Sequence, residues 1–192
     1  MPVITLASAK GGSGKTTAAV GLAAAAPGSV LLVDCDPSEG ALRWYTALDL
    51  PEVPRVAVAR SVDRLRAILK GSEEDFVIVD TPPLFEDQRL VREAVELADV
   101  AITPILPSPA DVDRLPLLQG LAEEVGTTWA ALVMQERSWT KAGGELRPAL
   151  AEAGVTTLRT GIPAREATRT AWATRAPDPA GFGWLWEELT GN

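Results

Sequence analysis

The sequence predicts an α/β fold, a doubly wound and mainly parallel sheet with helices on both faces, and three observations carry that prediction. Short β-branched runs recur along the 192 residues, most of them apolar on both faces; helix-like segments separate them; and the first run leads into a glycine-rich turn that opens an alanine-rich helix. A strand with one wet face would alternate apolar and polar residues, so continuous apolar runs mark strands covered on either side. At this length one domain with a full core is expected, spanning residues 1–192.

In chain order, VITLA at 3–7 is the first strand, the turn runs from Ser8 to Gly14, and a helix begins at Lys15. VLLVD at 30–34 is the second strand, closed by an acid, with a helix expected from Gly40. After RVAVA at 55–59, the segment SVDRLRAILKG reads as an amphipathic covering helix. Ser61 caps it, Val62, Leu65, Ile68 and Leu69 share one face, and Gly71 stops it. FVIVD at 76–80 again ends in an acid, and helices near 86–98, 112–125 and 143–153 alternate with the runs VAITPI at 100–105 and WAALVM at 129–134. PDPAGFGWLWEELTGN is a Pro/Gly break followed by a short acidic helix.

Composition narrows the chemistry. Cys35 is the single cysteine and histidine is absent, so an intrachain disulfide, a cysteine-built metal cluster within one chain and imidazole catalysis all fall away. The longest uncharged apolar stretch, AAVGLAAAAP, is about half of a bilayer span, and no basic-plus-apolar leader precedes it, so a cytoplasmic protein with no membrane partner is expected. The formal net charge of -8 hides an uneven distribution: residues 136–175 hold seven Lys/Arg against four Glu, leaving the remainder strongly acidic.

The strand, KGGSGKTT, helix order is a phosphate-binding arrangement. Gly11, Gly12 and Gly14 permit positive φ and close backbone approach, so the amides of the turn, Ser13 included, and the helix N-terminus face the β- and γ-phosphates of a bound nucleotide. Lys15 is expected to bridge those phosphates, the Thr16 hydroxyl to ligate Mg²⁺, and Thr17 to contact the α-phosphate. Asp80, at the carboxyl end of an apolar strand, is placed to hold the metal's water shell. Asp34 and Asp36 stand two apart and point the same way along an extended chain, one toward the metal shell and the other toward the γ-phosphate, with Asp36 assigned to orient the attacking water. Lys10, a second lysine in the same loop, has no duty in this scheme.

KGGSGKTT, the strand end VDCDP and the later VDTPP together resemble the deviant Walker-A ATPases of the ParA/MinD superfamily, a P-loop fold. ITPILPSPAD extends the likeness over nearly the whole chain, which looks most similar to the short ParA type used in plasmid and chromosome partition. The resemblance implies ATP/ADP and Mg²⁺ as cofactors, and an ATP-sandwich homodimer in which Lys10 reaches the phosphates bound by the other protomer, as an arginine finger does. Lys15, Thr16, Asp36 and Asp80 match the family's phosphate, magnesium, water-activating and Walker-B positions. Adenine would be read after the strand ending LVMQE and near TGIPARE, where this chain offers Gln135, Glu136 and Pro163, and PSPAD at 107–111 would border the partner protomer.

ParA-like proteins bind DNA without sequence preference when paired by ATP, and a centromere-bound ParB-like partner stimulates hydrolysis. The resemblance therefore implies a nucleoid-associated location. If 164–174 is helical, Arg165, Arg169 and Trp172 make one cationic face with an aromatic, and Arg159, Arg175 and Lys141 are near in sequence. With the phosphate loop starting at residue 10, an N-terminal operator-reading helix-turn-helix is not expected. Three other readings stay open: a MinD-like positioning ATPase, a metabolic enzyme using the same loop for phosphoryl transfer, and a scaffold that binds nucleotide with almost no hydrolysis. The acidic final helix disfavours the first, and a small-molecule pocket would favour the second.

Overall fold

The computed structural model describes residues 1–47, 54–136, 141–164 and 179–191. Among the described residues seven strands form one sheet: β1 (Val3–Leu6), β2 (Val30–Asp34), β3 (Arg55–Val58), β4 (Phe76–Asp80), β5 (Val100–Ile105), β6 (Thr128–Glu136) and β7 (Ile162–Pro163), in the spatial order β3-β2-β4-β1-β5-β6-β7. Every pairing is parallel. Parallel neighbours need crossovers, and the helices supply them. These are α1 (Lys15–Ala25), α2 (Gly40–Thr46), α3 (Val62–Lys70), α4 (Gln88–Glu96), α5 (Pro109–Val112), α6 (Leu115–Val125), α7 (Lys141–Glu152) and α8 (Pro179–Thr190).

The helices cover both faces. Ala18 and Leu22 of α1, Trp44 and Tyr45 of α2, and Phe182 and Trp186 of α8 pack on one. Leu65 and Ile68 of α3 with Leu90 and Ala94 of α4, and Leu115 and Leu118 of α6, pack on the other. That two-sided burial is why the strands read as unbroken apolar runs. Register then sets the site: Leu6 stands opposite Asp80, and Asp80 opposite Asp34, so the ends of β1, β4 and β2 lie level at the carboxyl edge of the sheet.

Alanine-rich α1 is buried between the sheet and α8, and small side chains permit the close approach. A Cβ added at Gly21 would stand 2.2 Å from a ring carbon of Phe182, itself fully buried. Gly21→Ala is therefore expected to destabilise the fold despite the ~1 kcal/mol of helix propensity it gains, because over-packing costs about 1–3 kcal/mol and this overlap is at the severe end. A denaturant midpoint equal to or above that of the parent would contradict the packing.

Two elements differ from the sequence expectation. The helix expected over 112–125 is two helices, because Pro116 has no N–H to bond back to Val112 and so restarts the helix at Leu115. The two-residue β7 was not foreseen; Pro163 lacks a ladder donor, which confines such a strand to the sheet edge where it is found. The helix expected over 164–174, with Arg165, Arg169 and Trp172, lies outside the described residues apart from Ala164, and so does Arg175 beyond it. Among the described residues no helix is long and apolar enough to cross a membrane.

Candidate functional site

At the carboxyl edge a cleft of about 700 Å³ opens beside the turn after β1, within the usual size of a small-ligand site. Gly11, Gly12, Gly14, Lys15, Thr16 and Thr17 line it on one side, Asp36 on another, and Gln135 closes a third. Gly12 (φ 80°) and Gly14 (φ 96°) hold left-handed backbone, which a side chain would strain, so the turn needs glycine there. Gly14 is the residue before the first turn of α1, whose free amides make the helix mouth an anion site.

Lys15 is buried, and its Nζ donates to the Ser8 hydroxyl at 3.0 Å. Ser8 also accepts from Ser13 Oγ at 2.9 Å and donates to the Lys10 carbonyl at 2.8 Å, so one hydroxyl has one donor and two acceptor roles filled. Burial lowers the Lys15 pKa, opposed by the carboxylates of Asp80, Asp36 and Glu86. A desolvated ammonium that donates to a neutral hydroxyl gains from a direct anionic partner, which an incoming phosphate would supply.

Thr16 Oγ1 donates to Asp80 Oδ2 at 2.7 Å. Asp80 is wholly buried, its Oδ1 has no hydrogen-bond partner, and burial lifts its pKa to about 7. An orphaned buried carboxylate oxygen beside a threonine hydroxyl is what a hydrated divalent cation would satisfy, so these residues fit magnesium. A Cβ at Gly40 would come within 3.2 Å of Thr16 Oγ1, so the start of α2 abuts the same hydroxyl.

The two acids after β2 part company. The spacing predicts that both point the same way, one toward the metal shell and the other toward the γ-phosphate. Instead Asp34 Oδ1 accepts from the Asp36 amide at 3.1 Å and its Oδ2 from the Leu42 amide at 3.0 Å. Asp34 is fully buried, and burial raises its pKa against those amides and Arg60. It staples the loop, and Asp36 alone of the pair lines the cleft. The reason is local: the chain turns after Cys35, so the alternation assumed for an extended strand no longer applies. Cys35 itself is buried, its thiol pushed up to about 12, and is not a nucleophile.

Gln135 adopts left-handed backbone (φ 53°) at a register shift between β6 and β7, and this bulge brings it into the cleft wall. Its neighbour Glu136 is taken up by Arg147, whose Nε donates at 2.6 Å, so it is not placed to read a base. Pro163 pairs with Glu136 at the sheet edge and does not line the cleft. Ser13 likewise sits beneath the turn on Ser8.

Lys10 stands apart from Lys15. It does not line the cleft; its Nζ is 2.7 Å from Asp111 Oδ1, and the Lys10 side chain is 39% exposed while that of Asp111 is 4% exposed. Asp111 lies on α5, which Ser108 caps, and its Oδ2 accepts from the Leu106 amide at 3.2 Å. The segment PSPAD thus holds Lys10 within its own chain.

Sequence reasoning passed over several participants, Ser8, Asp111, Glu86 and Met134 among them. Ser8 carried a signal, as the first residue after an apolar run leading into the glycines, and Asp111 lay inside a quoted motif. Glu86 and Met134 line the cleft only because β4 and β6 end there. Of the basic residues noted around 136–175, Arg159 is exposed and near Glu188 at 3.6 Å.

The model for the CobQ/CobB/MinD/ParA nucleotide binding domain matches residues 4–174 of this chain. A maintenance of carboxysome distribution protein A from Gloeobacter kilaueensis is 38% identical over 116 residues, covering 57% of this chain and 51% of that protein. A protein ParA from Rhizobium radiobacter is 32% identical over 128 residues, covering 65% and 58%. The matches thus span little more than half the length of these relatives. Among solved structures, the MinC:MinD cell division protein complex of Aquifex aeolicus superposes with a TM-score of 0.80 at 17% identity, over 100% of this chain and 97% of that one, which establishes likeness of fold.

Proposed function

The chain belongs to the CobQ/CobB/MinD/ParA nucleotide-binding family, and from that membership we propose that it is a magnesium-dependent ATPase that pairs around bound ATP and, as a paired switch, partitions DNA. One observation carries the reading: Lys15 is buried in the cleft, whereas Lys10 lies outside it on a half-exposed perch at Asp111. A cation of the phosphate loop that does not serve its own nucleotide is available to a neighbour's. Hydrolysis and pairing then become one event.

In this scheme the amides of Gly11 to Gly14 and the Lys15 ammonium hold the phosphates, and Thr17 reaches the α-phosphate. Thr16 and Asp80 hold magnesium with its waters, and Gln135 faces the base. Magnesium supplies charge neutralisation at the terminal phosphates. Asp36, exposed to the cleft, orients the attacking water. ADP and phosphate leave a weaker pair, and DNA is released.

Non-specific DNA and a centromere-bound ParB-like protein are the partners, with the protein nucleoid-associated while ATP lasts. Pairing doubles any basic surface, giving a dimer avidity that a single chain lacks. The test is co-sedimentation with DNA in ADP, ATP or a non-hydrolysable analogue. Retention confined to ATP and the analogue supports the reading; absence of retention with every nucleotide rejects it.

Arg165, Arg169 and Arg175 are the proposed DNA contacts. Arg165→Glu with Arg169→Glu is expected to cut ATP-dependent retention at least about tenfold at moderate salt, with ATP binding intact. Retention unchanged through a salt titration would reject these residues as the contact. The carboxysome-distribution relative favours a second reading, in which the same switch serves carboxysome distribution instead of a replicon. Stimulation of turnover by a cargo-bound protein, and not by a centromere-bound one, would select it.

A further inference from the structure

We infer that Arg60 is a positioning residue that braces the loop carrying Asp36, an inference that rests on the reading of Asp36 as the group orienting the attacking water. Arg60 follows β3, the edge strand, where Val58 pairs with Asp34. The Ala59 amide continues this ladder to the Asp34 carbonyl at 3.1 Å, and Arg60 Nη1 donates to the same oxygen at 2.7 Å. Nη1 also lies 3.7 Å from Asp34 Oδ1, while Nη2 donates to Glu39 Oε1 at 3.1 Å. One planar guanidinium therefore grips the residue that precedes the loop and the residue that ends it. A lysine, with a single ammonium point, could grip one end.

What lies between those ends is held by the same carboxylate that Arg60 faces. Asp34 accepts from the Asp36 and Leu42 amides, the Glu39 amide donates to the Asp36 carbonyl at 2.9 Å, and the Ser38 amide donates to Asp36 Oδ1 at 2.8 Å. Glu39 sits in left-handed backbone (φ 54°), an uncommon conformation for a residue with a side chain, and it needs an anchor to persist. Gly40 next to it abuts Thr16, so a shift at Glu39 would reach the magnesium-side hydroxyl as well as Asp36. Arg60 does not line the cleft and touches no nucleotide position. Its effect passes through the loop.

Displacing a reactive group by about 1 Å can cost about 10²-fold in rate. Arg60→Ala is accordingly expected to lower kcat about 10–100-fold with KM for magnesium-ATP within about threefold of the parent. Amide hydrogen exchange in the ligand-free chain reads the brace directly: Asp36, Ser38, Glu39 and Leu42 should exchange at least about tenfold faster in Arg60→Ala. Arg60→Lys should fall between parent and alanine in both readouts. Glu39→Ala, at a position whose side chain is 42% exposed, removes one end of the grip and should loosen Ser38 and Glu39 with a smaller loss of kcat than Arg60→Ala.

Parent-like exchange at these amides in Arg60→Ala and Glu39→Ala would overturn the brace, as would a loss confined to KM. Should Arg60→Ala fail to fold, Glu39→Ala alone decides by the same criteria. Asp36→Ala separates the underlying reading: if it keeps parental turnover, the water-orienting assignment is lost, whereas the exchange result stands or falls by itself.

Discussion

Lys10→Ala is expected to lower magnesium-ATP turnover by about 10³-fold while the affinity of the single chain for nucleotide stays within about threefold. The argument is spatial. Lys15 has the buried place in the cleft, and Lys10 contributes no lining atom to it, so binding within one chain does not need Lys10. Charge on the transferring phosphoryl group would be met only when a second copy brings its own Lys10. Leaving Asp111 has a cost, because the Asp111 side chain is only 4% exposed and would lose its charged partner, so the phosphates of the neighbouring site must offset it. Light scattering with a non-hydrolysable analogue should report weaker pairing in the variant. Parental turnover by Lys10→Ala, or solitary parent molecules at saturating ATP, would refute the trans assignment.

Asp80→Asn is expected to move stability and activity in opposite directions. Burial disfavours the Asp80 charge and holds its pKa near 7, above the ordinary 3.8, the Thr16 hydroxyl offsetting part of the shift. The folded chain therefore binds a proton that the unfolded chain releases. That contribution to stability is whole below about pH 4 and is lost as pH rises through about 7. At pH 8 the parent carries a desolvated charge and the asparagine variant does not. Denaturation there should find the ligand-free variant more stable, by something on the order of a few kcal/mol, and the gap should close as the pH falls toward 4. Turnover, by contrast, should drop about 100-fold, because an amide holds a metal's water shell poorly. Stability curves for parent and variant that run parallel from pH 4 to 8 would refute the buried-charge account.

Much of the nucleotide cleft was legible in the sequence because its parts are local. The glycines, Lys15, Thr16 and Thr17 are contiguous, and their geometry depends on a strand, a turn and a helix that follow one another. Asp80 was legible for a related reason: an acid closing an apolar strand must come out at the carboxyl edge. The roles of Asp34, Glu136 and Pro163 were not legible. Each depends on a partner that sequence spacing does not reveal, the amides of Asp36 and Leu42 for the first, Arg147 for the second and the edge of β6 for the third. Arg60 gave no sign, since its two targets lie 26 and 21 residues away.

By itself the sequence determined the layered α/β class, the phosphate-binding turn and the acids that end the second and fourth strands, because apolar periodicity and glycine placement act over a few residues. Only the tertiary structure decided which of two neighbouring acids meets the cleft, that Gln135 enters it through a bulge, and that Lys10 rests on Asp111 of its own chain. The physical reason is that side-chain direction at a strand end is set by what the sheet order brings alongside. In this sheet β2, β4 and β1 are adjacent though far apart in the chain.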